Sequence, residues 1–451
     1  MKQLSLLPEI ANDQLHNKIL YGRERDKIEQ KFSSLIVEEL KLGKLVSYVG
    51  NKQLPILRLY RYKEAFAFEF VKEFIQRFQL TNNDFLFEPF AGMGTSLFTA
   101  MQFNIPSFGI DRLPIAKFLA ETLPLFLTIQ PHELQAIFHE IKSIVKNVQA
   151  AEIAEDVKIM QKAFSQDILY QLKQWKTVIY QLEQPYRNIF ILLLLSILED
   201  CSYTAKDGQF LRMKLDKIII DPSILLERKV CEAEEDIKLL TSWLKNKKLA
   251  FPELELADAR NLSNIHFPKN PTAIITSPPY PNRYDYTRTY SLELCFNFVQ
   301  NFEQLKELRF GILRSHIESK IDTLEKPNHP VLQEVIDILN DQQMSLNNSR
   351  IPAMLTTYFI DMEKVIKEWS KILAPGGKIA MVVDNVRFAG EVVPVDLILS
   401  EMAENHGFKV EQIIVTRYKG NSSQQMGKYG RIAVRESVLV WQKEAENNDK
   451  F

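Results

Sequence analysis

Residues 276–280 read Thr276-Ser277-Pro278-Pro279-Tyr280 and close a short apolar run, Ala273-Ile274-Ile275. Two consecutive prolines give up their backbone donors and fix φ at about −65°. The run therefore ends in a rigid, carbonyl-rich corner with an aromatic ring directly after it. Such a corner suits a flat, amine-bearing ring. Ser277 Oγ and the Pro278 carbonyl can accept the two amine hydrogens, and Tyr280 can stack on the ring. A second stretch, Phe85-Leu-Phe-Glu88-Pro89-Phe90-Ala-Gly92-Met-Gly94-Thr95, follows a polar turn and leads into a helical run from Ser96. Gly92 and Gly94 let the backbone approach a ligand closely and permit positive φ. Carboxylates end two further apolar stretches, Ser107-Phe-Gly-Ile-Asp111 and Leu254-Glu-Leu-Ala-Asp258. Asp111 stands about 20 residues after the glycine turn, a spacing that suits an acid gripping ribose hydroxyls. Each Asp can alternatively cap the helix that follows it.

Together these residues resemble the S-adenosylmethionine-dependent exocyclic-amino methyltransferases. Residues 276–280 are similar to that family's fourth motif, and most to the version found in N4-cytosine DNA methyltransferases. Residues 88–95 are similar to its first motif, with Glu88 where Asp is usual. The resemblance implies that Ser277, Pro278, Pro279 and Tyr280 surround the target amine. It implies that Glu88 meets the methionine ammonium of the cofactor, with Pro89, Phe90, Gly92, Gly94 and Thr95 around it. Asp111 and Arg112 would stand at the ribose, and Asp258 and Ala259 at the adenine. Tyr62 and Lys63 belong to a segment similar to the tenth motif, which covers the methionine end. The implied reaction moves a methyl group from S-adenosylmethionine to the N4 amine of a flipped cytosine in double-stranded DNA. The implied setting is a restriction-modification system with a cognate endonuclease acting on the same site. The alternatives are adenine N6 or an RNA guanine amine on the same fold, and a cofactor-binding nucleic-acid module without turnover.

Composition narrows the field. A chain of 451 residues with 46% hydrophobic content has enough for a large core, in one decorated domain or two. Its net charge of −1 provides no global basic field, so nucleic-acid contacts must come from local patches. Three cysteines, Cys201, Cys231 and Cys295, are odd in number and far apart, which suggests neither a disulfide framework nor a zinc site; no metal is expected. None follows a proline, which argues against the Pro-Cys nucleophile of cytosine C5 chemistry. No apolar run reaches the roughly 18 residues of a membrane span, and a cytoplasmic protein is expected.

The elements that must position these residues read as an α/β fold. The expectation is a class I methyltransferase (Rossmann-like), seven-stranded, mostly parallel sheet with large helical insertions. Residues 1–50 read as an N-terminal helical segment. Residues 51–127 and 253–451 read as the catalytic domain, with a helical insertion at about 291–352. Residues 128–252 read as a helical insertion and candidate target-recognition region, broken by a polar turn whose Lys206 and Arg212 are candidate nucleic-acid contacts. Directly after the proline corner, aromatic and basic residues interleave, among them Arg283, Tyr284, Tyr286 and Arg288. Base–aromatic stacking and Arg contacts suit nucleic acid there. A late segment from Arg417 to Arg435 carries Arg417, Lys419, Lys428, Arg431 and Arg435 and no acid, and is expected to meet phosphates.

Overall fold

Side chains of the central strands alternate between two apolar faces, so helices must cover the sheet on both sides. Leu86, Ala273, Ile275, Ala380 and Val382 pack on one face with Phe70, Phe74 and Leu97. Phe87, Ile274, Ile379, Met381 and Val383 pack on the other with Met362, Ile366 and Ile398. In this computed structural model, the residues described are 23–63, 65–207, 210–245, 247–321, 325–327, 329–419, 430 and 432–445.

The strands are β1 (Ile36–Glu38), β2 (Leu86–Glu88), β3 (Ser107–Asp111), β4 (Thr204–Asp207), β5 (Phe210–Met213), β6 (Glu253–Leu256), β7 (Ala273–Thr276), β8 (Lys378–Asp384), β9 (Val386–Phe388), β10 (Glu391–Val393), β11 (Phe408–Lys419) and β12 (Val434–Lys443). Eight of them form one sheet in the order β1-β11-β12-β8-β7-β2-β3-β6. Within it β12 runs antiparallel to both neighbours, β11 and β8. The other pairings are parallel. This is the α/β, class I methyltransferase architecture that the motifs implied.

The sheet has eight strands where seven were expected. The extra one is β1, from the segment read as helical, and it pairs in parallel with β11 from Ile36 to Glu38. Its three residues are too few for a period-two pattern to register against the helix Arg23–Phe32 before it. The 128–252 insertion is mostly helical, with helices at Glu133–Ile144, Gln166–Tyr180, Tyr186–Ile197 and Pro222–Leu244. It is not a separate body. Phe138, Trp175, Leu193 and Val230 share one core with Leu119, Phe126 and Tyr290 of the catalytic part. Its polar break is a β-hairpin, β4 with β5, rather than a turn between helices.

Parallel strands bring their carboxyl ends to one edge of the sheet, where ligands of such folds bind. Glu88, Asp111, Asp258 and Ser277 all lie at or just beyond strand carboxyl ends.

Candidate active site

Ser277 and Pro279 line one open cleft together with Tyr62, Pro89, Phe90, Gly92, Asp111, Arg112, Asp258, Ala259 and Tyr286. The proline corner and the glycine turn, far apart in sequence, are two walls of one site. Gly92 has φ 53° and its N–H donates to Asp111 Oδ2 at 2.9 Å. A Cβ at Gly92 would stand 3.3 Å from the Tyr62 ring. Gly94, at φ 82°, heads the helix Thr95–Gln102, and a Cβ there would come within 2.5 Å of Ala120. Glycine is thus demanded twice, by the left-handed backbone and by the close approach. Gly94 and Thr95 support the turn from behind the cleft wall, with Thr95 Oγ1 buried and without a hydrogen-bond partner.

The two strand-end acids stand differently. Asp111 accepts N–H groups from Gly92 at 2.9 Å and Leu113 at 2.9 Å. Burial raises its pKa, with those N–H groups pulling the other way. The carboxylate keeps acceptor capacity beyond these backbone donors, as hydroxyl donors of a ribose require. Burial also works to raise Asp258, yet the Arg260 guanidinium holds it below the usual carboxylate range. Arg260 grips both oxygens, Nε to Oδ1 at 2.9 Å and Nη2 to Oδ2 at 2.7 Å, and reaches Asp361 at 2.8 Å.

Glu88 departs from its expected role. It is 1% exposed and is not among the cleft-lining residues. Oε1 accepts from Phe90 N at 3.1 Å and from Thr276 Oγ1, and Oε2 lies 2.6 Å from Ser96 Oγ. The side chain ties β2 to β7 and to the helix from Thr95 instead of facing a ligand. Burial pushes its pKa up to about 8, against the pull of Ser96, Thr276 and Phe90. The hydrogen count agrees. Ser96 Oγ has one proton and two acceptors in reach, Glu88 Oε2 and Ile275 O at 3.1 Å. A protonated Glu88 donates to Ser96, which then donates to Ile275, and every polar hydrogen of the group has an acceptor.

Tyr62 packs over Gly92, and Tyr290 stacks on Tyr62 with centroids 4.7 Å apart and planes 15° off parallel. Lys63 supports this stack through its backbone N–H, which donates to Tyr290 Oη at 2.7 Å; its side chain is buried, away from the cleft lining. Beneath the stack, Lys206 of β4 sits 4.6 Å from the Tyr290 ring centroid and forms an ion pair with Glu293, both side chains buried. Lys206 is therefore a structural cation and not a DNA contact, which corrects the expectation from sequence. Arg212 of β5 is exposed.

Within the interleaved segment the roles divide. Ser277 Oγ donates to Tyr280 Oη at 3.1 Å, Pro278 is buried, and Tyr286 reaches the cleft. Tyr284 is 3% exposed and packs edge-on against Tyr286, centroids 4.8 Å apart, so it is a core ring and not a stacking platform. Arg288 is partly exposed and pairs with Glu318 at 2.9 Å. Asp285 caps the turn that follows, accepting from Thr287 N at 2.9 Å, and pairs with Arg309 at 3.0 Å. Asp285, His316 and Glu318 stand close together, but Arg309 and Arg288 already hold the two acids. Arg283 differs from its neighbours. Its φ is 71°, its Nε is buried without a hydrogen-bond partner, and burial lowers its pKa.

The late basic segment also needs correction. Arg417 pairs with Glu436, and Lys419 bridges Asp384 at 3.0 Å and Glu436 at 2.5 Å. Arg435 pairs with Asp396 at 2.6 Å and Glu29 at 2.6 Å. These three cations lock the ends of β11 and β12 to the body. Glu436 stands directly after the stretch, while Asp384, Asp396 and Glu29 come from distant segments that the stretch does not show. Lys428 and Arg431 lie outside the described residues.

Leu113, Ala257, Arg260, Ile312, Leu313 and Ser315 complete the lining. Arg260 was within reach of sequence reasoning, two residues after Asp258. Residues 312–315 carried no signal, because they belong to a non-helical return inside a stretch read as helical. The lining fits an adenosyl group: aromatic and aliphatic walls, and a few acids placed for hydroxyls and an amine. Asp111 would hold the ribose and Asp258 with Ala259 the adenine. Among the described residues no helix is long and apolar enough to cross a membrane.

Comparison with known proteins points the same way. The chain is 35% identical over 482 residues to the Type II methyltransferase M.BsoBI of Geobacillus stearothermophilus, covering 95% of this chain and 94% of the relative. It is 33% identical over 461 residues to the Type II methyltransferase M.AvaI of Nostoc sp. PCC 7120, covering 95% and 93%. The Type II methyltransferase M.MvaI of Kocuria varians is 21% identical over 370 residues, covering 75% and 78%. No family model matches the chain.

Proposed function

This chain belongs to the Type II methyltransferases, and from that premise we propose that it methylates the exocyclic N4 amine of a cytosine flipped out of a specific DNA sequence. The observation that carries this reading is the position of Ser277. It heads the Pro-Pro-Tyr corner and lines the same cleft as Gly92 and Asp111.

S-adenosylmethionine, when bound, supplies an electrophilic sulfonium methyl group. The chain's task is to present the amine, whose lone pair is delocalised into the ring. Ser277 Oγ spends its own hydrogen on Tyr280 at 3.1 Å, so its lone pairs remain to accept an amine hydrogen. The Pro278 carbonyl accepts the other. Holding both hydrogens in the corner turns the nitrogen lone pair toward the incoming carbon, at the roughly 3–3.5 Å separation that in-line transfer needs. Ser277 is neutral and holds hydrogens without removing them; the surplus proton leaves to water after transfer. Tyr286, on the cleft wall, offers a face for the flipped base. Asp111 anchors the cofactor's ribose and Asp258 its adenine. The Type II setting supports a cognate endonuclease acting on the same site as a partner.

The test is incubation with labelled cofactor and DNA of mixed sequence, followed by mass spectrometry of the nucleosides. N4-methylcytosine is expected. N6-methyladenine as the sole product overturns the base assignment, and no transfer to any polymer overturns the catalytic reading.

A further inference from the structure

The hairpin of β4 and β5 returns to the active face, since β5 packs against the Tyr286–Thr289 turn whose first residue lines the cleft. Directly after β5 the chain exposes Leu215 at 76% and Ile218 at 86%. Among the described large hydrophobic residues only Met344 is more exposed. Their segment is tied down. Lys214 N donates to Tyr203 O at 2.7 Å, and Lys217 Nζ donates to Thr204 O at 3.0 Å and to Glu199 O. The two aliphatic side chains are held out by a braced loop. Arg212 and Lys214, both exposed, precede them, and the exposed Asp216 stands between them. Apolar tips on a braced loop beside a cleft that must receive an extruded base match the wedges that proteins insert between base steps. The two exposed cations before them suit phosphates better than they suit an apolar protein surface.

We infer that Leu215 and Ile218 form a wedge that enters the DNA stack beside the target and fills the space the flipped base leaves. The inference rests on the proposed action on a base in duplex DNA. It deepens that reading by assigning the extrusion step to the insertion's hairpin and not to the catalytic corner.

The experiment compares the wild type with L215A/I218A, substitutions on exposed side chains that leave the core intact. Two synthetic duplexes are used, both carrying the methylation site identified by sequencing of methylated DNA. In one the target base is correctly paired; in the other it faces an abasic position, so it is already unpaired. On the paired duplex the double variant is expected to lose roughly ten- to a hundred-fold in kcat/KM, a fraction of the cost of extrusion. On the abasic duplex it is expected to stay within about threefold of wild type. An equal loss on both duplexes overturns the wedge in favour of general DNA binding. No loss on either overturns it too and leaves the patch to a protein partner. A wild type that methylates no DNA overturns the functional reading beneath it, an outcome the wild-type lanes report separately.

Discussion

Glu88→Gln probes the buried carboxyl at the head of the glycine turn. Burial lifts Glu88 from an ordinary value of 4.5 to about 8. Through that window the folded chain keeps a proton that the unfolded chain has released. Stability therefore falls as pH rises, by about 1.4 kcal/mol per pH unit for this one group. Between about pH 6 and about pH 7.5 the loss amounts to roughly 2 kcal/mol. Glutamine mimics the protonated form: its amide donates to Ser96 and its oxygen accepts from Phe90 N and Thr276. One amide N–H is left over, so the variant starts lower at about pH 6, by about 1–2 kcal/mol. Asp111 and Asp384, also raised by burial, are present in both proteins and cancel in the comparison. Urea unfolding at the two pH values reads the difference between the proteins, which should move by about 2 kcal/mol in favour of the variant as pH rises. A difference that is the same at both pH values would show that Glu88 is ionised in the fold, and the hydrogen count through Ser96 would fail with it.

Ser277→Ala removes an acceptor that acts on the reacting amine, and should lower kcat by roughly a hundredfold with cofactor affinity unchanged, read by single-turnover transfer and calorimetry. Asp111→Asn leaves one acceptor oxygen where two now take N–H groups from Gly92 and Leu113, and so loosens the turn and weakens the acceptor offered to ribose hydroxyls. Its Kd for the cofactor should rise about tenfold or more, and an unchanged Kd removes the ribose role. Arg283→Ala should raise the KM for DNA and reduce the slope of binding against salt by about one, because its buried Nε has no hydrogen-bond partner within the protein. Arg435→Ala should leave that slope unchanged while lowering the unfolding midpoint, since its guanidinium is engaged by Asp396 and Glu29.

Most of the cleft was legible because its residues sit at strand carboxyl ends, where glycine, proline and acid leave strong local marks. Gly92, Asp111, Asp258 and Ser277 were found that way, and the sheet order brings them together. What sequence could not supply was direction. Glu88 carries the right charge at the right place and turns inward, because Ser96 and Thr276, contributed by other elements, offer it hydrogen bonds. Lys206 and Arg435 look like DNA-facing cations until their acids, Glu293 and Asp396, are seen to arrive from elsewhere in the chain. β1 was missed because three residues are too short to carry a period.

The ion pair between Lys206 and Glu293 bears on how such enzymes can diversify. A specificity unit that hangs from a linker can be exchanged for another without disturbing its host. Here the hairpin sends its lysine under the Tyr290–Tyr62 stack that roofs the glycine turn. A chimera carrying a foreign 128–252 segment would strand Glu293 as a lone anion in the interior, a defect costing about 3–5 kcal/mol. Exchanging this segment between relatives of the chain would thus require both halves of that pair to travel together.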